Sequence, residues 1–228
     1  FNLNPLDYRL FIRNVTETVR RFRNHPSIAL WCARNEGFAP NELEYMLAAT
    51  LAKEDGSRHY VGNSRSLNSS GSGPWRYQFD AGWYYRSLAG GFRSEVGTPS
   101  LPTAETVREF MAEEDTWPIS DVWYYHDWHN HRYGSKTFSE LYKEGMDRKL
   151  GPSDNLDDFC RKAQLINYES HRAIFEAWNS KMWNDASGVL LWMSHPAWPS
   201  MVWLNYSSNG ETAGAYYGTQ KACRPLHI

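Results

Sequence analysis

The stretch at residues 24–37, NHPSIALWCARNEG, constrains the fold of this chain more than any other. Its middle, residues 28–32, is a short apolar run without alternation, which is typical of a strand covered on both faces in a parallel sheet wrapped by helices. Asn35 and Glu36 follow, so that an amide and a carboxylate come after the predicted strand. In a barrel of alternating strands and helices, catalytic side chains lie at the carboxyl ends of the strands. The stretch therefore predicts a carboxylate in a site.

A second stretch, residues 90–97, also ends on an acid. It reads GGFRSEVG and presents Glu95 beside small residues at the end of a short predicted strand. Two glutamates at the ends of different strands of one parallel barrel can face each other across a sugar ring. Asn41-Glu42 repeats the Asn-Glu dipeptide but opens a helical pattern, and it is interpreted as a solvated helix start.

The remaining periodicity predicts alternating helices and strands. Helices are expected over residues 4–22, 41–55, 103–111, 155–183 and 213–222. Helical spacing predicts the buried faces of three of them: Phe11, Val15, Val19 and Phe22 in the first, Leu43, Met46, Leu47, Thr50 and Leu51 in the second, and Phe159, Ala163, Ile166, Ser170, Ala173 and Ala177 in the fourth. Strands are expected at residues 27–32, 59–63, somewhere within 75–85, up to Glu95, and at 189–193, with Asn63 and Ser64 able to line the site. Cys32 is interpreted as a buried thiol. Residues 65–74 are interpreted as a loop at a barrel mouth, with a linker as the alternative, and residues 113–152 as irregular.

Bulk properties narrow the class of partner. A formal net charge of −2 gives no reason to expect nucleic acid or an anionic membrane surface. No run approaches the ~20 apolar residues of a membrane-spanning helix. Three widely spaced cysteines imply neither a zinc site nor a disulfide framework. The aromatic content of 15% fits either a bulky core or a carbohydrate site in which flat rings stack on sugar faces.

Three motifs, in this order, resemble glycoside hydrolase family 2. Residues 24–37 resemble the acid/base motif, FRSEVGTPSLPT (residues 92–103) resembles the nucleophile motif, and GVLLWMSHPAWPSMVWLNY (residues 188–206) resembles the last barrel strand with its tryptophan. Residues 153–183 and 213–228 resemble the branch that contains β-mannosidases, exo-β-glucosaminidases and mannosylglycoprotein endo-β-mannosidases. The resemblance covers nearly the whole chain.

This resemblance implies an α/β fold, namely the C-terminal part (strands four to eight) of a (β/α)8 TIM barrel. Residues 1–228 would then be a partial catalytic domain without the first three strands and the preceding β-sandwich domains. Two open sheet edges would leave backbone groups unpaired, so the segment alone is expected to be aggregated or molten and to show no glycosidase activity. Its expected partner is the missing N-terminal part of the same enzyme, in a secreted, periplasmic or lysosome-like compartment.

The resemblance also assigns roles for a retaining mechanism with two carboxyl groups about 5–5.5 Å apart. Glu36 would be the acid/base and Glu95 the nucleophile. Asn35 would donate to the sugar 2-hydroxyl, and Trp192 would form the floor of the sugar subsite, with core packing as the alternative for Trp192. The substrate-binding residues implied by the resemblance are Asn35, Trp83, Tyr84 and Trp192.

The substrate implied is a β-linked oligosaccharide or glycan, with mannose and glucosamine both open, and no cofactor or metal is expected. Two other functions are kept as alternatives. One is a non-catalytic carbohydrate-binding fragment or processed subunit that uses the aromatic residues alone, although a binder has no need of paired acids. The other is a metal hydrolase built on His126, His129 and His131, although no HExxH-type spacing accompanies them.

Overall fold

The computed structural model of the protein describes residues 4–65, 71–128 and 131–226. Contacts divide the chain into two units. The first contains the described residues up to Gly71 together with Phe92–Ser94. The second contains Ser72–Gly91 and the described residues from Glu95 onward. Among these residues, no helix combines the length and the apolar character needed to cross a lipid bilayer.

The first unit is a strand–helix–strand arrangement preceded by a helix. Its elements are α1 (Tyr8–Phe22), β1 (Leu30–Cys32), α2 (Asn41–Glu54) and β2 (His59–Val61). Strands β1 and β2 are parallel, with Leu30 opposite His59, as expected for strands joined through a helix. Helix α2 begins at Asn41 and buries leucines at the predicted spacing, namely Leu43, Leu47 and Leu51.

A carboxylate just after α2 ties β1 to the turn before β2. Asp55 accepts hydrogen bonds from Ser57 Oγ at 2.6 Å and from Trp31 Nε1 at 2.8 Å. Arg58 Nη1 also donates to Asp55, at 2.8 Å, and Arg58 Nε donates to the carbonyl of Ile28 at 2.8 Å. The hydroxyl of Ser57, followed by the indole of Trp31, holds the pKa of Asp55 well below its usual range. This network holds β1, the strand that precedes Glu36, against the turn before β2.

The first unit is less covered than its apolar sequence predicts. The residues of β1 are half-buried or exposed. Cys32 is exposed, so the prediction of a buried thiol is wrong. Phe22, which periodicity places on the inner face of α1, is also exposed. An apolar pattern identifies a surface that can be buried, but it does not supply the neighbouring element, and β2 is the sole strand paired with β1 in the described chain.

The second unit is built around a long helix, α7 (Leu156–Asn179), which the Asn155 side chain caps. The residues predicted for its inner face are all buried, namely Phe159, Ala163, Ile166, Ser170, Ala173 and Ala177. Helix α8 (Gly214–Ala222) packs along α7. A Cβ atom at Gly214 would overlap the backbone oxygen of Gln164 in α7, and one at Gly218 would overlap that of Tyr168. The two glycines therefore permit a close helix–helix approach.

The other elements of the chain are shorter. They are β3 (Gly91–Val96), which has residues in both units, α3 (Ala104–Phe110), α4 (Glu113–Thr116), α5 (Asp121–Tyr125), β4 (Arg132–Tyr133), β5 (Lys136–Thr137), α6 (Phe138–Leu150) and β6 (Ala186–Leu191). Strands β4 and β5 form an antiparallel hairpin. Strand β3 pairs with β6. Gly91 N–H donates to Asp185 O at 2.6 Å and Trp192 N–H to Val96 O at 2.8 Å, so β3 and β6 run in the same direction.

Two sequence predictions for this unit are wrong. Residues 113–152 are not irregular, because α6 occupies 138–150 and begins with a capping box between Thr137 and Glu140. Residues 75–85 contain no strand, and a π-helical turn begins at Tyr84. The cause is local: the Asp80 side chain accepts from Gly82 N–H at 2.8 Å and its carbonyl from Trp83 N–H at 3.0 Å. Such bonds compete with sheet pairing.

The five predicted barrel strands are thus reduced to two parallel pairs, β1–β2 and β3–β6, in the described chain. In place of the strand expected within 75–85, Ser72 forms an isolated parallel bridge with Glu95. The last predicted strand exists, but it is not buried throughout, because Leu190 is exposed.

A buried histidine in α7 gives the fold a testable pH dependence. His171 is fully buried, its Nδ1–H donates to Asn167 O at 2.9 Å, and burial lowers its pKa to about 4. An unfolded chain protonates histidine near pH 6.5, so the folded state loses stability as pH falls from there toward 4, by about 3 kcal/mol. Denaturant unfolding of the full-length protein at pH 7 and pH 4.5 should show this loss, and His171→Asn should reduce it. An equal loss in both proteins would contradict the assignment.

Candidate active site

In the first unit, hydrogen bonds connect the loop that follows β1, which carries Glu36, to the loop that follows β2. Ala33 N–H donates to Val61 O and Ser64 N–H donates to Arg34 O, both at 3.0 Å. Glu36 N–H donates to Ser64 Oγ at 3.0 Å, so Ser64 lies beside the predicted acid. Asn63, its neighbour in the sequence, is buried. Glu36 has a φ of 52°. Such a value is uncommon for residues other than glycine, and strained backbone of this kind concentrates at functional sites.

The side chains of this loop face solvent in part. Glu36 is half-buried, and Arg65 Nη1 lies 3.5 Å from its Oε2. Asn35 is exposed, its carbonyl accepts from Gly37 N–H at 2.7 Å, and its Oδ1 lies 3.5 Å from Ser64 Oγ. The structure therefore places Asn35 and Glu36 next to each other, with an amide and a carboxylate both accessible.

In the second unit, the end of β3 is held by backbone hydrogen bonds on successive residues. Glu95 O accepts from Gly73 N–H at 3.0 Å, and Gly97 O accepts from Trp75 N–H at 2.9 Å. Between them, Val96 O accepts from Trp192 N–H at 2.8 Å. The backbone that carries Glu95 is therefore fixed by the segment 73–75 and by Trp192, at the end of β6. Glu95 itself is half-buried.

Three tryptophans, Trp75, Trp192 and Trp203, form a cluster beside this strand end. The Trp75 and Trp192 ring centroids are 5.5 Å apart at 82°, and those of Trp192 and Trp203 are 5.2 Å apart at 71°. Trp75 and Trp203 are 5.4 Å apart at 63°. Trp192 is 37% exposed, so it is not a core side chain and keeps an accessible surface. We call these residues the tryptophan cluster.

The tryptophan cluster packs closely against the end of β3. Gly97 follows directly after β3, and a Cβ atom there would overlap both the Trp192 carbonyl oxygen and the Trp75 ring. Trp192 and Met193 are joined by a cis peptide bond. A glycine at position 97 is thus required for this approach of Trp192 to the strand end.

The two aromatic residues predicted from the segment 75–85 have different surroundings. Trp83 is half-buried and meets the Tyr84 ring edge-on, at 5.7 Å and 76°. Tyr84 is 1% exposed, lies in a core cluster with Val96 and Trp178, and has its pKa raised by burial. The prediction that the Tyr84 ring contacts substrate is therefore corrected: the ring has no accessible face, because it is buried in this core cluster.

The histidines considered for a metal do not form a cluster in the described residues, which hold no group of three or more metal-ligating side chains. His129 lies outside the described residues. His126 is buried, and its Nδ1–H donates to Pro199 O at 2.7 Å. Its ring stacks on Trp198 at 5.1 Å and 22°. Its contacts are those of a side chain that holds the 198–199 loop in place.

Comparison with known proteins identifies the fold family. A family model described as the TIM barrel domain of glycosyl hydrolases family 2 matches residues 3–144, more than half of the chain. The chain belongs to glycosyl hydrolase family 2. The family resemblance drawn from the three motifs is thereby confirmed, and the described strands and helices belong to an α/β TIM-barrel fragment.

Relatives of this family 2 chain are much longer. It is 29% identical to a mannosylglycoprotein endo-beta-mannosidase of Lilium longiflorum, over 98% of this chain and 28% of the relative. It is 32% identical to an exo-beta-D-glucosaminidase of Amycolatopsis orientalis, over 97% of this chain and 23% of the relative. The crystal structure of the exo-chitosanase CsxA of Amycolatopsis orientalis matches with a TM-score of 0.82 and 26% identity, over 99% of this chain and 29% of that chain. The chain thus spans under a third of these proteins.

Sequence patterns missed two members of the tryptophan cluster, Trp75 and Trp203. Both have a positive φ, 64° and 57°, which no periodicity signals. The nearest available sign was the glycine-rich approach to Trp75, with Gly71, Gly73 and Pro74, which predicted a loop but not which side chain that loop presents.

Proposed function

We propose that the full-length enzyme containing this segment is a retaining β-glycosidase that hydrolyses β-mannosidic or β-glucosaminidic linkages. Family membership and the two named relatives support glycoside hydrolysis. The observation that carries the proposal is made at the end of β3. Glu95 directly precedes Val96, whose carbonyl accepts a hydrogen bond from Trp192 N–H at 2.8 Å. A carboxylate can attack the anomeric carbon of a sugar, and an accessible indole such as that of Trp192 can support the apolar face of the same sugar.

In the proposed mechanism, Glu95 attacks the anomeric carbon while Glu36 protonates the leaving oxygen. The glycosidic bond breaks as the bond to a Glu95 carboxylate oxygen forms, giving a covalent glycosyl-enzyme. Glu36, now ionised, then removes a proton from water, which attacks the anomeric carbon and releases Glu95. Two inversions give a sugar with the configuration of the substrate.

The binding residues have separate roles in this proposal. Asn35 donates to the sugar 2-hydroxyl, a hydrogen bond that strengthens as the oxocarbenium-like transition state forms. Trp192 offers its accessible face to the apolar side of the sugar, and Trp83 contacts the sugar at the edge of the site. Tyr84 contributes by packing against Trp83. The partner proposed for the segment is the remaining N-terminal portion of the same enzyme.

Product stereochemistry tests the proposed reaction. Proton NMR of the full-length enzyme acting on p-nitrophenyl β-mannoside or β-glucosaminide should show the β-anomer first, with the α-anomer appearing later by mutarotation. The substrate that is turned over identifies the sugar. First release of the α-anomer would show an inverting mechanism. A full-length protein that binds either sugar but cleaves neither would support the alternative, a carbohydrate-binding fragment or processed subunit.

A further inference from the structure

Two residues of the tryptophan cluster have no part in the mechanism proposed above. Trp75 and Trp203 each meet the Trp192 ring nearly edge to face, and they meet each other in the same way. Aromatic rings prefer this geometry because the positive edge of one ring faces the negative face of the next. The Trp192 indole is therefore contacted from two directions, although 37% of the residue stays exposed.

The backbone at both residues is held in a conformation that bulky side chains rarely adopt. The φ angles are 64° at Trp75 and 57° at Trp203. For an L-residue with a large side chain, such values persist only where surrounding contacts offset the strain, and they concentrate at functional sites. Both Trp75 and Trp203 also have rings that meet Trp192.

The cluster is also attached to the strand that carries the proposed nucleophile. Trp75 N–H donates to Gly97 O at 2.9 Å, and Trp192 N–H donates to Val96 O at 2.8 Å. Gly97 has no space for a side chain between Trp75 and Trp192. Any shift of the Trp75 segment therefore moves against both the Trp192 ring and the backbone next to Glu95.

We propose that Trp75 and Trp203 are positioning residues that hold the Trp192 indole in one orientation as a platform for the pyranose ring. The inference rests on the proposed function, in which Trp192 contacts the sugar. A ring that is already fixed loses less conformational entropy when the sugar binds, so preorganisation raises affinity. Trp75 and Trp203 act through Trp192 and need no contact with the sugar.

The test is a double-mutant cycle in the full-length enzyme. Trp75→Phe and Trp203→Phe should each raise KM, and the Ki of a competitive sugar-configured inhibitor, about five- to tenfold, as expected for loss of an aromatic contact. In a Trp192→Ala background, the same substitutions should change KM and Ki little further, because their effect passes through Trp192. Trp183→Phe is the matched control: Trp183 also has a positive φ, 69°, but it is exposed and lies outside the cluster.

The outcomes separate this inference from the proposed function. Unchanged KM and Ki in both phenylalanine variants, or losses that add to that of Trp192→Ala, would overturn the positioning role. If Trp75→Phe lowers the melting temperature and the folded yield, the double-mutant cycle of Trp203→Phe with Trp192→Ala decides the test. If the unmodified enzyme cleaves neither glycoside, the proposed function fails and the positioning role falls with it. If it cleaves one and Trp192→Ala alone raises KM, then only the positioning role fails.

Discussion

Replacing Glu95 with alanine is expected to reduce turnover by the full-length enzyme on the order of 10⁴-fold or more, because no covalent glycosyl-enzyme can form. The substitution should not disturb the strand, since the bonds that fix β3 at this point are made by backbone atoms. Azide, a small anion that fits the space left by the carboxylate, should restore cleavage and give a glycosyl azide of inverted configuration.

Steady-state kinetics with an aryl glycoside, with and without azide, measures this effect. Glu105→Ala is a suitable control, because Glu105 is an exposed acid in the first turn of α3. Near-normal turnover in the Glu95→Ala variant would contradict the nucleophile assignment. Azide rescue that yields a product of retained configuration would contradict the displacement mechanism.

Replacing Glu36 with alanine is expected to separate substrates by their leaving groups. Natural glycosides should be cleaved about 10²- to 10⁴-fold more slowly, because their leaving oxygen needs a proton. Dinitrophenyl glycosides should be spared in the first step, since a dinitrophenolate leaves without protonation. A pre-steady-state burst of dinitrophenolate should then appear, because the second step still lacks its base.

The chain provides its own matched control for Glu36. Glu42→Ala removes a carboxylate from the same Asn-Glu dipeptide, but at the exposed start of α2, and it should leave both substrate types unaffected. Glu36→Gln keeps the size of the side chain and should behave like Glu36→Ala on natural glycosides. Equal losses on natural and dinitrophenyl glycosides would contradict the general-acid role.

Elements with strong local signals could be predicted from the sequence. Helix α7 has a long periodic face and a capping asparagine, Asn155, and it begins where that pattern predicts. Helix α6 carried an equally good signal, Thr137 and Glu140 at capping-box spacing, with Phe138, Tyr142 and Met146 buried at four-residue intervals. This helix was not predicted, because the aromatic-rich residues before it show no helical spacing and obscure where the apolar periodicity of α6 begins.

Exposure could not be predicted in the same way. The apolar run of β1 and that of β6 both read as buried strands, yet Cys32 and Leu190 are exposed. Burial depends on which elements lie against a strand, and sequence patterns within the strand do not contain that information. For the same reason, Trp192 could be read either as core or as a sugar platform until its exposure was known.

The site could be predicted in part, because motif resemblance names positions but not their surroundings. It named Trp192 and also Tyr84, although one is accessible and the other is buried in the core. It did not name Trp75 or Trp203, since their placement depends on single residues with a positive φ and on a glycine, Gly97, that admits them. Whether Glu36 and Glu95 act as the acid and the nucleophile stays a prediction for the kinetic tests above.

The close contact between α7 and α8 has a consequence for the order in which this part of the chain opens. Glycine costs roughly 1 kcal/mol relative to alanine in a helix interior, so the nine residues of α8, which include Gly214 and Gly218, cannot form a stable helix alone. The same glycines admit the α7 backbone, and α8 is ordered through that contact. We therefore expect α8 to open more readily than α7, and opening of α7 to release α8.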